Sequence, residues 1–155
     1  MILEIRRYPD SILRKECEPI EEITPEISKL IEDMFETMYK NQGVGLAAPQ
    51  VGISKQLAVI DVGKGPMVLI NPRVVRKKGK VFFEEGCLSI PGEYLKIRRA
   101  KEVEVEAFDE KMNKFSLKAS GLLAICLQQE MDHLNGILMF ERAGFLQRIK
   151  RKLFG

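Results

Sequence analysis

The sequence predicts an α+β protein that forms a single domain over residues 1–155. Two helical patterns, at 24–41 and 120–134, enclose a run of short β-rich segments between 57 and 117. A third, basic amphipathic pattern at 143–154 predicts a C-terminal helix. The hydrophobic content of 45% and the charged content of 30% are those of an ordinary soluble globular protein.

The first helix is defined by its start signals and its apolar stripe. Thr24 is a good N-cap, Pro25 fits the first helical position, and Gly43 is a stop signal. Apolar residues recur between them at helical spacing: Ile27, Leu30, Ile31, Met34, Phe35 and Met38. Core packing explains this stripe, including its methionines. Upstream, residues 1–9 are predicted as a short strand and Asp10 as the cap of a short helix.

Several strands are predicted after the first helix. Residues 57–62 and 68–70 are apolar β-rich runs, and an Asn-Pro pair closes the second. Residues 74–75 and 81–83 flank a lysine-rich segment, 77–80, which predicts a hairpin turn with a solvated tip.

Residues 102–108 alternate strictly between glutamate and an apolar residue until the final pair. This pattern predicts a half-buried antiparallel strand whose glutamates face water. A turn follows, and the chain returns as a second strand at 115–117.

Charge, hydropathy and cysteine content exclude several classes of protein. The net charge of +3 permits an anionic partner but does not indicate DNA binding. No apolar run approaches the roughly 20 residues of a membrane span, and the first residues lack a signal-peptide pattern. Three cysteines in a chain of this size argue against a disulfide framework and for the cytoplasm. A thiolate is then available as a metal ligand.

Residues 129–133, Gln-Glu-Met-Asp-His, nearly match the metallohydrolase pattern H-E-x-x-H. Gln129 stands at the first ligand position, and His133 is the only histidine in the chain. The predicted helix, capped by Ser120, places Leu122, Cys126, Gln129 and His133 on one stripe with Glu130 beside them. Buried polar side chains on such a stripe need partners, so a hydrogen-bonded cluster or a metal site would explain them.

Two further stretches are rich in small or reactive residues. The first, 43–50, reads Gly-Val-Gly-Leu-Ala-Ala-Pro-Gln and allows either a tight turn or the close approach of a ligand. The second, 85–89, reads Glu-Gly-Cys-Leu-Ser, in which Cys87 is either buried filler or a reachable thiolate.

Taken in order, the three stretches resemble the three motifs of the peptide deformylases. The first two match the family pattern at each position, and the third departs at Gln129, where the family has histidine. The resemblance implies an α+β fold in which antiparallel sheets pack around a central helix that carries the metal site. It also implies hydrolysis of the N-formyl group from formyl-methionyl nascent peptides.

The resemblance further implies a set of site residues. One divalent transition metal, with Fe²⁺ expected and Zn²⁺ or Ni²⁺ as substitutes, would be held at the positions of Cys87, His133 and Gln129. Glu130 would be the general base, and Gln50 and the Leu88 backbone N–H would donate to the oxyanion. Gly45 would let the substrate backbone lie close. The methionine side chain would enter a pocket formed by Val44, Leu122, Ile125 and Cys126.

Two alternatives to a working deformylase stay open. One is a catalytically silent relative that still binds formyl-methionyl peptides, favoured by the single imidazole. The other, weaker alternative is a zinc peptidase of the H-E-x-x-H type, which leaves the Cys87 motif unexplained. By the same resemblance, Arg148–Lys152 in the C-terminal helix would contact the ribosome, although a docked helix with a solvated face is the favoured explanation of the pattern.

Overall fold

A computed structural model describes residues 1–143. The predicted C-terminal helix over 143–154 therefore lies, apart from Ala143, outside the described residues. The helices are α1 (Pro25–Lys40), α2 (Gly121–Leu134) and α3 (Met139–Arg142), with short 3-10 turns at Ser11–Arg14 and Ala48–Val51. The strands are β1 (Gly45–Ala47), β2 (Leu57–Ile60), β3 (Met67–Lys78), β4 (Val81–Cys87), β5 (Ile90–Arg99), β6 (Glu102–Phe108) and β7 (Lys114–Ser120).

The strands form two antiparallel sheets. One has five strands in the order β1-β2-β3-β6-β7, and the other consists of β4 and β5. The long helix α2 lies against β1, β2, β6 and β7. The predicted α+β architecture, with antiparallel sheets around a central helix, is confirmed.

Helix α1 begins as its capping residues predict. The Thr24 hydroxyl accepts a hydrogen bond from the Ile27 amide at 3.2 Å, and Pro25 occupies the first turn. Met34 and Met38 are fully buried among apolar residues of β1, β2 and β3. The apolar stripe is therefore core, as expected.

The hairpin predicted around residues 77–80 is wrong. Strands β3 and β4 flank this turn but belong to different sheets, because β3 pairs with β6 and β4 pairs with β5. The predicted strand end at Asn71-Pro72 is also wrong. Strand β3 continues through this pair with a register shift between Ile70 and Arg73. At this shift the Asn71 side chain accepts a hydrogen bond from the Ile20 amide at 2.8 Å and donates one to the Ile20 carbonyl at 2.7 Å.

The alternating segment behaves as predicted in β6. Its apolar members Val103, Val105 and Ala107 are buried, and its glutamates lie on the opposite face. Residues 1–9, by contrast, are not a strand. This segment instead donates single hydrogen bonds from Arg6 to the Gln50 carbonyl and from Tyr8 to the Ser89 carbonyl, at 2.7 and 2.9 Å.

Helix α2 follows β7 directly and ends before Gly136, whose positive φ of 70° suits glycine. Ser120 is its N-cap residue, but its side chain makes no capping hydrogen bond within the described part of the chain. Most of the helix is buried, including Gln128, Glu130 and His133. Among residues 1–143, no helix is long and apolar enough to cross a membrane.

Candidate active site

A cleft of about 530 Å³ lies where β1, the turn between β4 and β5, and α2 meet. Each of the three sequence stretches contributes to its wall. The lining includes Val44, Gly45, Gln50, Cys87, Leu88, Gln129, Glu130 and His133. Residues separated by more than 80 positions in the sequence thus face one space.

Cys87 and His133 come together across this cleft. The Cys87 Sγ lies 3.5 Å from the His133 Nε2. Metal bonds of about 2.3 Å to sulfur and about 2.1 Å to nitrogen, at a tetrahedral angle, would place these atoms roughly 3.6 Å apart. The spacing therefore fits two ligands of one metal ion.

Glu130 is buried beside the small residues of β1. A Cβ atom at Gly45 would lie only 2.5 Å from the Glu130 Oε2, so no larger residue fits there without displacing the carboxyl group. The Glu130 Oε1 and the His133 Nδ1 are buried and have no hydrogen-bond partner among the described residues. Buried polar atoms are normally satisfied, so this pair of atoms indicates a site that receives a ligand or water.

The protonation states follow from burial. Burial raises the pKa of Glu130 to about 8 and lowers the pKa of His133 to about 4. It also raises the pKa of Cys87 to about 11. In the metal-free protein at neutral pH, His133 is therefore in its neutral, ligating form, and the Cys87 thiol must lose a proton on binding a cation. A nearby dication would favour the charged forms of Cys87 and Glu130.

The Gln50 side chain is held in one orientation. Its Oε1 accepts a hydrogen bond from the Ala47 amide at 2.9 Å, which leaves the Nε2 group as a donor. This group lies 3.2 Å from the Ser89 Oγ and 3.6 Å from the Cys87 Sγ. Gln50 thus presents N–H groups beside the sulfur.

Gln129 lines the same cleft and is half-buried. Within residues 1–143, no group of three His, Cys, Asp or Glu side chains is arranged to hold a metal ion. The lack of such a group agrees with the presence of the Gln129 amide at the position where the family has a histidine ligand. Amide oxygens do coordinate divalent metals, although imidazole suits Fe, Zn and Ni better.

The predicted substrate-binding residues divide into two groups. Val44 and Gly45 line the cleft, and Val44 is 40% exposed. Leu122, Ile125 and Cys126 are not among the residues that line it: Leu122 is exposed, and the other two are buried. Their assignment to a methionine pocket stays a prediction.

Comparisons with known proteins extend the resemblance to nearly the whole chain. The family profile for polypeptide deformylase matches residues 2–150. A peptide deformylase of Neisseria meningitidis is 50% identical over 157 aligned residues, which cover 98% of this chain and 94% of the relative.

The chain belongs to the peptide deformylase family.

Solved peptide deformylase structures have the same fold. The Legionella pneumophila protein matches with a TM-score of 0.93 and 44% identity, covering 99% of this chain and 92% of that one. The Thermotoga maritima protein matches with a TM-score of 0.91 and 40% identity, covering 93% and 99%. Peptide deformylases are divalent-metal hydrolases that remove the N-formyl group from nascent peptides, so this chain is an enzyme of the metallohydrolase class.

One cluster beside the candidate site, around Arg99, was not predicted from the sequence. Arg99 is buried and donates two hydrogen bonds to Glu85, both at 2.7 Å, and a third to Asp132 at 2.6 Å. Burial disfavours its charged form, but the hydrogen bonds to Glu85 outweigh this and raise the pKa of Arg99 above its usual range. Through Arg99 the cluster joins Glu85, two residues before Cys87, to Asp132, the residue before His133. The available signal was the alternation of side chains along β5: Arg99 lies two residues after the buried Ile97, so it points to the same face.

Proposed function

We propose that this chain removes the formyl group from the N-terminal formyl-methionine of nascent polypeptides in the cytoplasm. The observation that carries the proposal is the 3.5 Å separation between Cys87 and His133 on the wall of the cleft, with buried Glu130 beside them. This arrangement joins two metal donors and a carboxyl group in one enclosed space. The family membership of the chain supports the same reaction.

The residues present fit a divalent transition metal. Cys87 and His133 would be two of its ligands, and the Gln129 amide oxygen is the candidate for the third. Fe²⁺ is the expected ion, and Zn²⁺ and Ni²⁺ suit the same sulfur and nitrogen donors. When bound, such an ion polarises a carbonyl oxygen and lowers the pKa of water.

Glu130 would move the proton in this reaction. Its Oε1 has no hydrogen-bond partner within the described part of the chain, so it is free to accept a proton from a water molecule in the cleft. The same atom would then deliver the proton to the amine that leaves. A pKa raised towards neutrality by burial suits a group that must both accept and release a proton.

The oxyanion formed at the formyl carbon would be stabilised by fixed donors. The Gln50 Nε2 is oriented by the bond that its Oε1 accepts from Ala47. The Leu88 backbone N–H, in the turn after Cys87, would be the second donor. Donors that are already oriented before the reaction need no reorganisation as charge develops.

Substrate selection would depend on the shape of the cleft. By the family resemblance, the peptide backbone would lie against β1 at Gly45, where the absence of a side chain also leaves room for the Glu130 carboxyl group. The methionine side chain would contact Val44, with Leu122, Ile125 and Cys126 as the further predicted members of its pocket. Contact of Arg148–Lys152 with the ribosome is a separate proposal, because this segment lies outside the described residues.

Gln129 favours a second candidate function. A chain with a single imidazole would hold its metal weakly and could act as a silent module that binds formyl-methionyl peptides. Intact Glu130, Gln50 and Cys87 support the working enzyme instead, because a site without selection for catalysis has no reason to retain all three.

The substitution Gln129→His distinguishes these functions. Positions 129 and 133 are four apart on one helix, so the new imidazole points into the same cleft without any movement of the backbone. Metal affinity should rise. Substitutions of residues that hydrogen-bond to metal ligands commonly change metal affinity by roughly 10–100-fold, and the change of a ligand itself should have a larger effect. Metal content and formate release from formyl-Met-Ala-Ser are measured on the same samples.

Gln129→Leu is the matched control, because it removes the amide oxygen and keeps a similar volume. If Gln129 is a ligand, this variant loses metal and turnover relative to the parent chain. A Gln129→His protein that gains metal but no activity would favour the silent binding module. Equal metal content in all three proteins would show that position 129 does not hold the ion.

A further inference from the structure

The outer face of the two-stranded sheet carries a cluster of cations around an exposed ring. In the β4–β5 register, Phe82 lies opposite Arg98, and Glu84 lies opposite Lys96. Directly opposed residues project from the same side of a sheet. We name this surface the hairpin basic face. Its cations are Lys80, Lys96 and Arg98, with Lys101 just beyond the end of β5, and they surround Phe82; Glu84, opposite Lys96, is an acidic residue on the same side.

Burial distinguishes this face from its reverse. Phe82 is 57% exposed, and the four cations are exposed as well. The intervening residues Ile97 and Arg99 are buried against the rest of the protein. The hairpin basic face therefore points to solvent, and none of its members lines the catalytic cleft.

The segments that enter β4 and leave β5 bring further charge to the open end of the hairpin. A Cβ atom at Gly79 would lie 3.2 Å from the Lys101 Cβ, so the turn before β4 touches the turn after β5. Lys78 and Lys80 flank that glycine, and both are exposed. Four positive side chains are thus concentrated where the two turns meet: Lys78, Lys80, Arg98 and Lys101.

Three of these four cations have no ion pair within the described part of the chain, whereas Lys78 lies opposite Glu102 in the β3–β6 register. Lys80, Arg98 and Lys101 have no carboxylate within 4.0 Å there. Some exposed cations elsewhere are paired, as where Arg73 meets Glu106 at 2.7 Å. Unpaired like charges repel one another, so their clustering has an electrostatic cost that a polyanion would remove.

We propose that the hairpin basic face binds single-stranded RNA. Lys80, Arg98 and Lys101 would neutralise phosphates, and a base would stack on the exposed ring of Phe82. Lys96 lies beside that ring, with its Nζ 6.0 Å from the centroid, and adds charge at the stacking position. An anionic membrane fits less well, because interfacial binding needs an apolar stripe that enters the bilayer, whereas this face presents one ring among cations.

The first test measures how RNA binding depends on salt. Fluorescence anisotropy of a labelled 12-nucleotide oligouridine is titrated with the full chain between 50 and 200 mM KCl. In the triple variant Lys80→Gln/Arg98→Gln/Lys101→Gln, the negative slope of log K against log salt should become less steep by about 2. Each lost phosphate contact accounts for about 0.7 of this change. The control Lys15→Gln/Lys64→Gln/Lys111→Gln removes the same net charge from exposed positions elsewhere and should leave the slope unchanged.

The second test isolates the ring. Phe82→Ala should weaken RNA binding by about 5- to 100-fold, because one stacked base is lost, and Phe82→Tyr should retain binding. Formate release from formyl-Met-Ala-Ser should be unchanged in every variant, which shows that each one is folded.

Three outcomes would overturn the proposal. The two triple variants could weaken RNA binding equally, which would show that binding depends on the net charge of the protein and not on this surface. A chain with Arg148, Lys150, Arg151 and Lys152 all changed to Gln could lose RNA binding completely while the hairpin variants keep it. Phosphatidylserine vesicles could bind the parent chain in a Phe82-dependent manner while the oligouridine does not.

Discussion

The two sides of helix α2 bury polar side chains in opposite ways. On one side, the Gln128 amide both accepts from and donates to the backbone of Ala100 at 2.9 Å, and Asp132 accepts from Arg99 at 2.6 Å. On the side that meets Cys87, Glu130 and His133 each have a buried polar atom without a partner among the described residues.

The difference separates two kinds of polar group on helix α2: those that stabilise the fold and those that remain available to a ligand. A buried polar group with a complete set of hydrogen bonds fixes the position of the helix. A buried polar group without a partner is stable only when something outside the chain satisfies it. The partnered side therefore holds α2 in place, so that the unpartnered side can meet Cys87.

The largest predicted effect is on the unpartnered side. Glu130→Gln keeps the shape of the side chain but removes the group that accepts the proton, so formate release should fall by about 10²–10⁴-fold. The free energy of unfolding at neutral pH should not fall, because the buried parent carboxyl group must take up a proton on folding, whereas the glutamine amide need not. Turnover is measured with metal content matched between the two proteins. An active Glu130→Gln enzyme would remove Glu130 from the mechanism.

The second prediction concerns the partnered side. Arg99→Ala leaves Glu85 and Asp132 buried without their cation, so the free energy of unfolding should fall by about 3–5 kcal/mol. Arg73→Ala is the matched control, because its partner Glu106 lies at the surface, and it should cost at most about 1 kcal/mol. Urea unfolding monitored by circular dichroism gives both values. Equal losses of unfolding free energy in the two variants would show that the buried cluster does not stabilise the position of α2.

The third prediction is a pH dependence in the metal-free protein. Glu130 keeps its proton in the folded state up to about pH 8 but loses it near 4.5 when unfolded, whereas His133 gains a proton near 6.5 only when unfolded. The two effects cancel between pH 4.5 and 6.5. From pH 6.5 to 8 the unfolded state binds one proton fewer, so stability should fall by about 2 kcal/mol. Glu130→Gln should abolish that slope in urea titrations, and a slope that persisted would assign it to another group.

The smallest predicted effect is at Gln128. Gln128→Leu removes two hydrogen bonds to Ala100, but water can reach this half-buried backbone, so the cost should be about 1 kcal/mol. Turnover per bound metal should be unchanged, because Gln128 is not among the residues that line the cleft. A large loss of turnover without a loss of stability would mean that both sides of α2 take part in the chemistry.

The errors of prediction occur where pairing is not local. The segment 77–80 has the composition of a hairpin turn, yet β3 and β4 enter different sheets, because each finds its partner elsewhere in the sequence. Residues 1–9 have strand-like composition but form only isolated hydrogen bonds. Turn composition predicts that the chain reverses direction, but it does not predict which strands pair.

The sequence alone determined the elements whose signals are local. The cap at Thr24, the apolar stripe of α1 and the alternation in β6 depend on residues within a few positions of one another, so composition and period were sufficient. The three motifs also suggested Gln50, Cys87, Glu130 and His133 as candidate site residues, and these four line one cleft.

Only the tertiary structure decided how those motifs meet. The separation of the Cys87 Sγ and His133 Nε2, the buried Arg99 cluster and the raised pKa of Glu130 depend on contacts between distant segments. Burial sets these properties, and the burial of one residue depends on the packing of the whole chain around it. For that reason the motif could suggest Glu130 as a candidate base, whereas the raised pKa of its carboxyl group depends on the fold.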